Sequence, residues 1–188
     1  MNNSNPNSTH VAGHNQFSDW SHAEYKAILG YAYDRDAKKT NVVDYPPPTQ
    51  NGPIDWRTLG AVTPVKDQGQ CGSCWSFSTT GCMEGAHFKA TNELSSFAEQ
   101  QLVDCSTGFN NGGCNGGWYY WSYDYLSSGK SLETESQYPY TGKDGSCKGE
   151  SGKLTVSGYS EVSANSTAIK SAIAQQPVNV AVAAGNYY

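Results

Sequence analysis

All six cysteines fall between positions 71 and 147, and the first two sit three residues apart in "DQGQCGSCWSFS", Asp67 to Ser78. This stretch constrains the fold more than any other. The turn-like "TPVKDQGQ" leads into it, and a proline-free run from Cys74 to about Thr91 leads out. The run predicts a helix with Ser73 as its cap. Gly81, Gly85 and the Ser/Thr residues after Cys74 make it a mediocre helix former, so packing must hold it. Small residues at Ser78, Cys82 and Ala86 predict close backbone approach and a central, buried position. An even cysteine count suggests disulfides and an oxidising compartment, and the count alone leaves the pairing open. With no second CxxC and no nearby histidine pair, a structural zinc site is not expected.

Three chemistries fit Cys71-Gly72-Ser73-Cys74. The plainest is a disulfide partner beside a buried thiol. A thioredoxin-like redox pair should follow a strand in a βαβ unit, and what precedes here is turn-like. The third is a thiolate nucleophile. At a helix N-terminus the dipole and free N–H groups stabilise negative charge and lower the thiol pKa. Cys74, first on the helix, fits that role, with its own N–H directed at a developing oxyanion. Gln68, six residues back across a glycine turn, offers a second amide donor.

Residues 1–50 differ from the rest: they hold His10, His14 and His22 and no cysteine. "MNNSNPNST" is polar and expected to be disordered. "FSDWSHAEYKAILGY" predicts a short helix, with Ser21 and Glu24 as a capping box and Tyr25, Ile28 and Leu29 on one face. "YPPPTQNGP", Tyr45 to Pro53, is the best linker in the chain. Beyond the cysteine pair, "SSFAEQQLVD" predicts a second helix with a Ser96/Glu99 capping box. "GWYYWSYDYL" predicts a third, closed by Gly129, and "STAIKSAIAQQ" a fourth, stopped before Pro177. Ser131 to Gly158 is loop-rich, and "VNVAVAA" alternates Val178, Val180 and Val182 as a strand would. The 13 tyrosines and 5 tryptophans need polar partners for their ring tips and suit a cleft lining. A net charge of −5 argues against a nucleic-acid partner. No window approaches the ~18 apolar residues of a membrane span, and no charged-then-apolar leader opens the chain, so no signal peptide is expected in it as it stands. Asn2, Asn7 and Asn165 sit in N-x-S/T sequons.

"QGQCGSCWSFS" resembles the active-site motif of the papain-like cysteine proteases, cathepsin L type. Further matches arrive in family order: "PIDWR", "AVTPVKDQG", "EQQLVDC", "GCNGG" and "YPYTG". Upstream, Gly13, Asn15, Phe17 and Asp19 match the spaced pattern of the family's propeptide. The resemblance covers nearly all of residues 13–185. It implies an α+β, papain-like two-lobe fold, the helical left lobe nearly complete and the β-rich right lobe only partly present. Residues 1–50 would be the C-terminal part of an inhibitory propeptide with its linker, and residues 51–188 a partial peptidase domain. Cys74 would be the nucleophile and Gln68 the oxyanion side chain, with disulfides Cys71–Cys114 and Cys105–Cys147. Gly116 and Gly117 would form the wall that binds an extended peptide, glycine allowing close approach. Trp118, Tyr119 and Ala181 would line an apolar pocket for the substrate residue two before the scissile bond; core packing of the third helix is the plain alternative for the two aromatics. Cys82 is left over as a small buried hydrophobe. Ala98 stands where the family often has serine, which shifts the expected cap to Ser96.

The resemblance further implies peptide or protein substrates, the chain's own propeptide lying in the cleft in the non-productive direction, and no cofactor or metal. It implies no nucleic-acid or membrane partner, a monomer, and a lysosomal, vacuolar or secreted location. The family's general base is a histidine oriented by an asparagine, both far downstream of the cysteine. After Cys74 the sequence has His87 alone, 13 residues on and roughly 20 Å along the same helix. The chain is therefore expected to be a fragment without the His/Asn half of the site, inactive as it stands. A non-catalytic truncated homologue that binds peptides or protease partners is the competing reading. Retention of both Cys74 and Gln68 weighs against it.

Overall fold

The helix that opens at Cys74 organises the rest. The computed structural model describes residues 6, 11, 13–32, 41–48, 52–149, 151–182 and 184. The helices are α1 (His22–Ala27), α2 (Cys74–Thr91), α3 (Glu99–Cys105), α4 (Tyr119–Ser127) and α5 (Ser166–Ile173). α2 ends as Asn92 turns left-handed at φ +62°. α3 and α4 both pack against it. Trp75, Met83, Phe97, Leu102, Val103, Tyr125 and Leu126 form the core between them. On another side of α2 the small residues face residues 177–179. A Cβ on Gly85 would lie 2.5 Å from the Pro177 ring, the Cys82 thiol reaches the Pro177 carbonyl at 3.4 Å, and Asn179 donates to Ser78 Oγ at 2.7 Å. α2 is thus packed by contact on several sides, which is why its weak intrinsic propensity suffices.

β1 (Ser131–Leu132) pairs antiparallel with β2 (Leu154–Thr155), Leu132 opposite Leu154. Three isolated bridges add to this: Phe97 with Thr134 antiparallel, and Tyr31 with Gly117 and Val42 with Glu161 parallel. Disulfides join Cys71 to Cys114 and Cys105 to Cys147. The Trp56 indole donates to the Ile173 carbonyl at 2.7 Å and so ties residue 56 to α5.

The capping box at Ser21 and Glu24 is present, and α1 stops at Ala27, before Ile28 and Leu29. Two other expectations are corrected. α3 is capped at Ala98, not Ser96, with no side-chain bond. Its Glu99 turns inward to Lys66 at 2.6 Å and accepts from Thr80, so an ion pair has claimed the carboxylate that a capping box would use. The "VNVAVAA" stretch forms no strand over residues 178–182. Val180 and Val182 are 60% and 82% exposed, and no described segment pairs with them; alternation makes a strand only when a neighbour supplies the ladder. The sequons at Asn2 and Asn7, His10 and a boundary near Asn51 lie outside the described residues.

Candidate active site

Cys74 opens α2 and is half-buried with a free thiol. Ser73 before it occupies the cap position, yet its hydroxyl does not cap the helix. It lies 2.7 Å from the Tyr140 hydroxyl instead. The Cys71–Cys114 bridge fixes the entry to the helix, and the Gly72 amide donates to the Cys114 carbonyl at 2.9 Å. Gln68 reaches the same corner from the preceding turn. Its Nε2 donates to the Cys71 carbonyl at 2.8 Å and to the Ile28 carbonyl at 2.9 Å.

Ile28 belongs to a segment that crosses the site. The Gly117 amide donates to the Gly30 carbonyl at 2.8 Å, and the Ala32 amide to the Gly117 carbonyl at 2.9 Å. This is a parallel pairing of residues 30–32 with the glycine wall. Contact is close: a Cβ on Gly30 would stand 1.7 Å from the Gly72 oxygen. The two wall glycines are required for different reasons. Gly116 has φ +113° and faces Gly30, whereas a Cβ on Gly117 would strike Asn111 and Trp75 behind it. The latter constraint comes from the core rather than from a peptide in front.

Burial raises the Cys74 pKa, against the amides of Gly30, Trp75 and Cys74 itself. The helix-start expectation of a lowered thiol is therefore reversed in this structure. Desolvation of a thiolate outweighs the dipole.

Trp118 is buried and caps α4, its amide donating to Asn111 Oδ1 at 2.9 Å. Tyr119 is half-buried, and its ring stacks on Tyr31 at 6.1 Å, while Trp118 meets Tyr31 edge-on at 6.4 Å. Trp118 is thus buried and also in contact with the segment that crosses the site. Tyr119 and Ala181 line a cavity of about 780 Å³ with Cys82, His87, Tyr123 and Tyr159. His87 packs its ring edge-on against Phe97.

Upstream, Asn15 Oδ1 accepts the Phe17 amide, and the Phe17 ring meets Trp20 at 5.0 Å and Tyr25 at 5.8 Å. These contacts make an aromatic knot ahead of α1. Gly13 and Asp19 are exposed. Asn165, also exposed, caps α5 by accepting the Ala168 amide at 2.9 Å. Among the described residues no three His, Cys, Asp or Glu side chains are grouped to hold a metal ion, and no helix is long and apolar enough to cross a membrane.

Several residues of the corner were not singled out from sequence. Tyr140 lies within "YPYTG", a stretch that by itself gives the residue no task. Asp144, whose Oδ1 accepts the Cys114 amide at 2.7 Å and so holds the "GCNGG" loop, carries no sequence signal.

Residues 51–188 match the family model described as "Papain family cysteine protease". Digestive cysteine proteinase 2 of Homarus americanus is 43% identical over 180 residues, 92% of this chain and 55% of that protein. Cysteine proteinase 5 of Dictyostelium discoideum is 43% identical over 181 residues, covering 94% and 52%. The chain spans about half the length of the curated relatives it matches. Among solved structures, digestive procathepsin L 3 of Tenebrio molitor larval midgut superposes with a TM-score of 0.74 at 36% identity, over 87% of this chain and 53% of that one. A recombinant stem bromelain precursor gives 0.78 at 31% identity, over 96% and 59%. Sequence, fold and the two precursor neighbours agree, and the chain belongs to the papain family of cysteine proteases.

Proposed function

We propose that this chain is part of the precursor of a cysteine endopeptidase, with residues 1–50 as propeptide and linker and residues 51–188 as peptidase domain. One observation carries the reading: Gln68 Nε2 holds the Ile28 carbonyl beside Cys74, as it would hold the carbonyl oxygen of a substrate. In the proposed reaction Cys74 Sγ attacks the peptide carbonyl carbon. The oxyanion takes N–H bonds from Gln68 Nε2 and the Cys74 amide. The C–N bond breaks, the amine leaves with a proton, and water cleaves the thioester. No cofactor enters.

The wall of Gly116 and Gly117 would bind an extended peptide, and Trp118, Tyr119 and Ala181 an apolar or aromatic side chain, as Tyr31 already stacks there. The parallel pairing of residues 30–32 supports their being a non-productive occupant of the cleft. Two disulfides and digestive relatives support secretion or an acidic vacuole. Asn165, exposed at a helix cap, is the candidate glycosylation site among the described residues.

The reaction needs a general base, and His87 is about 20 Å along α2 from Cys74, far outside hydrogen-bond reach. The 188-residue chain alone is therefore proposed to hold a peptide without turning it over, which also keeps the non-catalytic reading in play. Hydrolysis of a peptide substrate by the natural protein that carries this chain, compared with its Cys74→Ala variant, tests the proposal. Loss of turnover in the variant is expected. Equal turnover would remove Cys74 from the chemistry.

A further inference from the structure

Tyr140 touches both parts of the corner from behind. Its hydroxyl donates to the Gln68 carbonyl at 2.8 Å and lies 2.7 Å from Ser73 Oγ. A phenol has one proton to give, so Ser73 is the donor in the second bond. The relay from Ser73 through Tyr140 to Gln68 joins the residue before Cys74 to the residue that carries the proposed oxyanion amide. Phe77, in the first turn of α2, packs edge-on against the same ring at 4.9 Å. Tyr140 is held in turn by its backbone, whose N–H donates to Glu135 Oε1 at 2.7 Å.

The other oxygen of Glu135, Oε2, is buried with no hydrogen-bond partner among the described residues. Its surroundings explain what belongs there. Glu84 and Glu99 are each 2.6 Å from Lys66 Nζ, and their side chains are 2% and 1% exposed. Glu84 also accepts from Thr63 and from the Phe97 amide, and Glu99 from Thr80. Glu135 faces Glu99, with Lys66 as the cation acting on it. Three ionised carboxylates against one ammonium would leave two uncompensated charges in a buried cluster. A proton on Oε2, donated to Glu99, removes one charge and gives the orphan oxygen its bond.

We propose that Glu135 holds a proton donated to Glu99, and so acts as a positioning residue that seats Tyr140 behind Gln68 and Ser73. The effect on Cys74 rests on the function proposed above; the proton does not. Burial first, and the Glu99 charge, push the Glu135 carboxyl up to about 6, against the Tyr140 amide and Lys66. Above that pH the ionised carboxylate is repelled by Glu99. The bond to Glu99 is lost, and the groove bounded by Ser95, Ser96, Ser136 and Pro139 gives the carboxylate room to shift beneath Tyr140. A folded-state value above the ordinary 4.5 means that the contribution is complete below about 4.5 and is lost as pH rises through about 6.

Carboxyl 13C NMR on the full chain reads the proton, with Glu135→Gln assigning the resonance. A midpoint near 6 is expected; one at or below the ordinary glutamate value overturns the proposal. Alkylation of Cys74 by iodoacetamide, followed by mass spectrometry across the same pH range, reads the positioning. Wild type should show a step at the carboxyl midpoint. Glu135→Gln, a permanently neutral isostere, should keep the melting temperature and lose the step, and Tyr140→Phe should lose it too. A raised carboxyl midpoint with identical alkylation profiles in wild type and Glu135→Gln would refute the positioning role. If Cys74 proves not to cleave peptides, the carboxyl titration is unaffected, so the two failures are distinct.

Discussion

Gly30→Ala isolates the contact that closes the site. The added Cβ would lie 1.7 Å from the Gly72 oxygen and 2.3 Å from its carbonyl carbon. Gly72 does not yield, because its amide is bonded to Cys114 beside the Cys71–Cys114 bridge. To reach an ordinary contact of about 3.5 Å the segment must lift by roughly 1.5–2 Å. That lift breaks the Gly117–Gly30 bond at 2.8 Å, the Ala32–Gly117 bond at 2.9 Å and the Gln68–Ile28 bond at 2.9 Å. At ~1 kcal/mol net for each, the seated state loses about 3 kcal/mol, or roughly 100-fold in population. The assay is alkylation of Cys74 in the folded, non-reduced chain, read by peptide mass spectrometry. Gly30→Ala should react about two orders of magnitude faster than wild type at a given pH. Its pH profile should also move to lower pH, because burial is what raises the thiol. Gly13→Ala, where an added Cβ meets nothing within 4 Å among the described residues, should match wild type. Equal protection of Cys74 in wild type and Gly30→Ala would refute the claim that residues 28–32 shield the thiol.

Two further outcomes concern the scaffold. Replacing Cys71 and Cys114 together by alanine removes a link across 43 residues and should lower stability by ~4 kcal/mol on the loop-entropy model, seen as a lower midpoint in urea. Asn179→Ala strips partners from Tyr123, which donates to it at 2.5 Å, and from Ser78, to which it donates at 2.7 Å. A cost of about 1–3 kcal/mol and a lower melting temperature are expected, whereas Asn179→Asp should retain the Tyr123 bond and recover part of the loss.

What the sequence revealed follows how local each signal is. α2 was legible from Cys74 to Thr91 because a proline-free run and a turn bounded it, and the small stripe at Ser78, Cys82 and Ala86 announced a close neighbour without naming it. The neighbour, residues 177–179, lies about a hundred positions away, beyond any periodicity. The α1 capping box was legible because both partners lie within one turn. Ser96 and Glu99 present the same spacing, and there a distant lysine took the carboxylate. The valines of residues 178–182 alternate correctly, yet alternation carries no information about whether a partner strand is at hand. At the site, Cys74 and Gln68 stood out through motif and helix position. Tyr140 and Glu135 did not, because their importance arises from bonds that only the folded chain creates, from Tyr140 to Gln68, Ser73 and Glu135.

The most direct test of the central claim, that Cys74 and Gln68 together cleave peptide bonds, is the turnover of one peptide substrate by the propeptide-free natural protein and two variants of it. Cys74→Ala should abolish kcat. Gln68→Ala should lower kcat by about 10²–10³ with KM little changed, since the lost bond matters chiefly to the oxyanion. Turnover retained in Cys74→Ala, or a Gln68→Ala effect confined to KM, would contradict it.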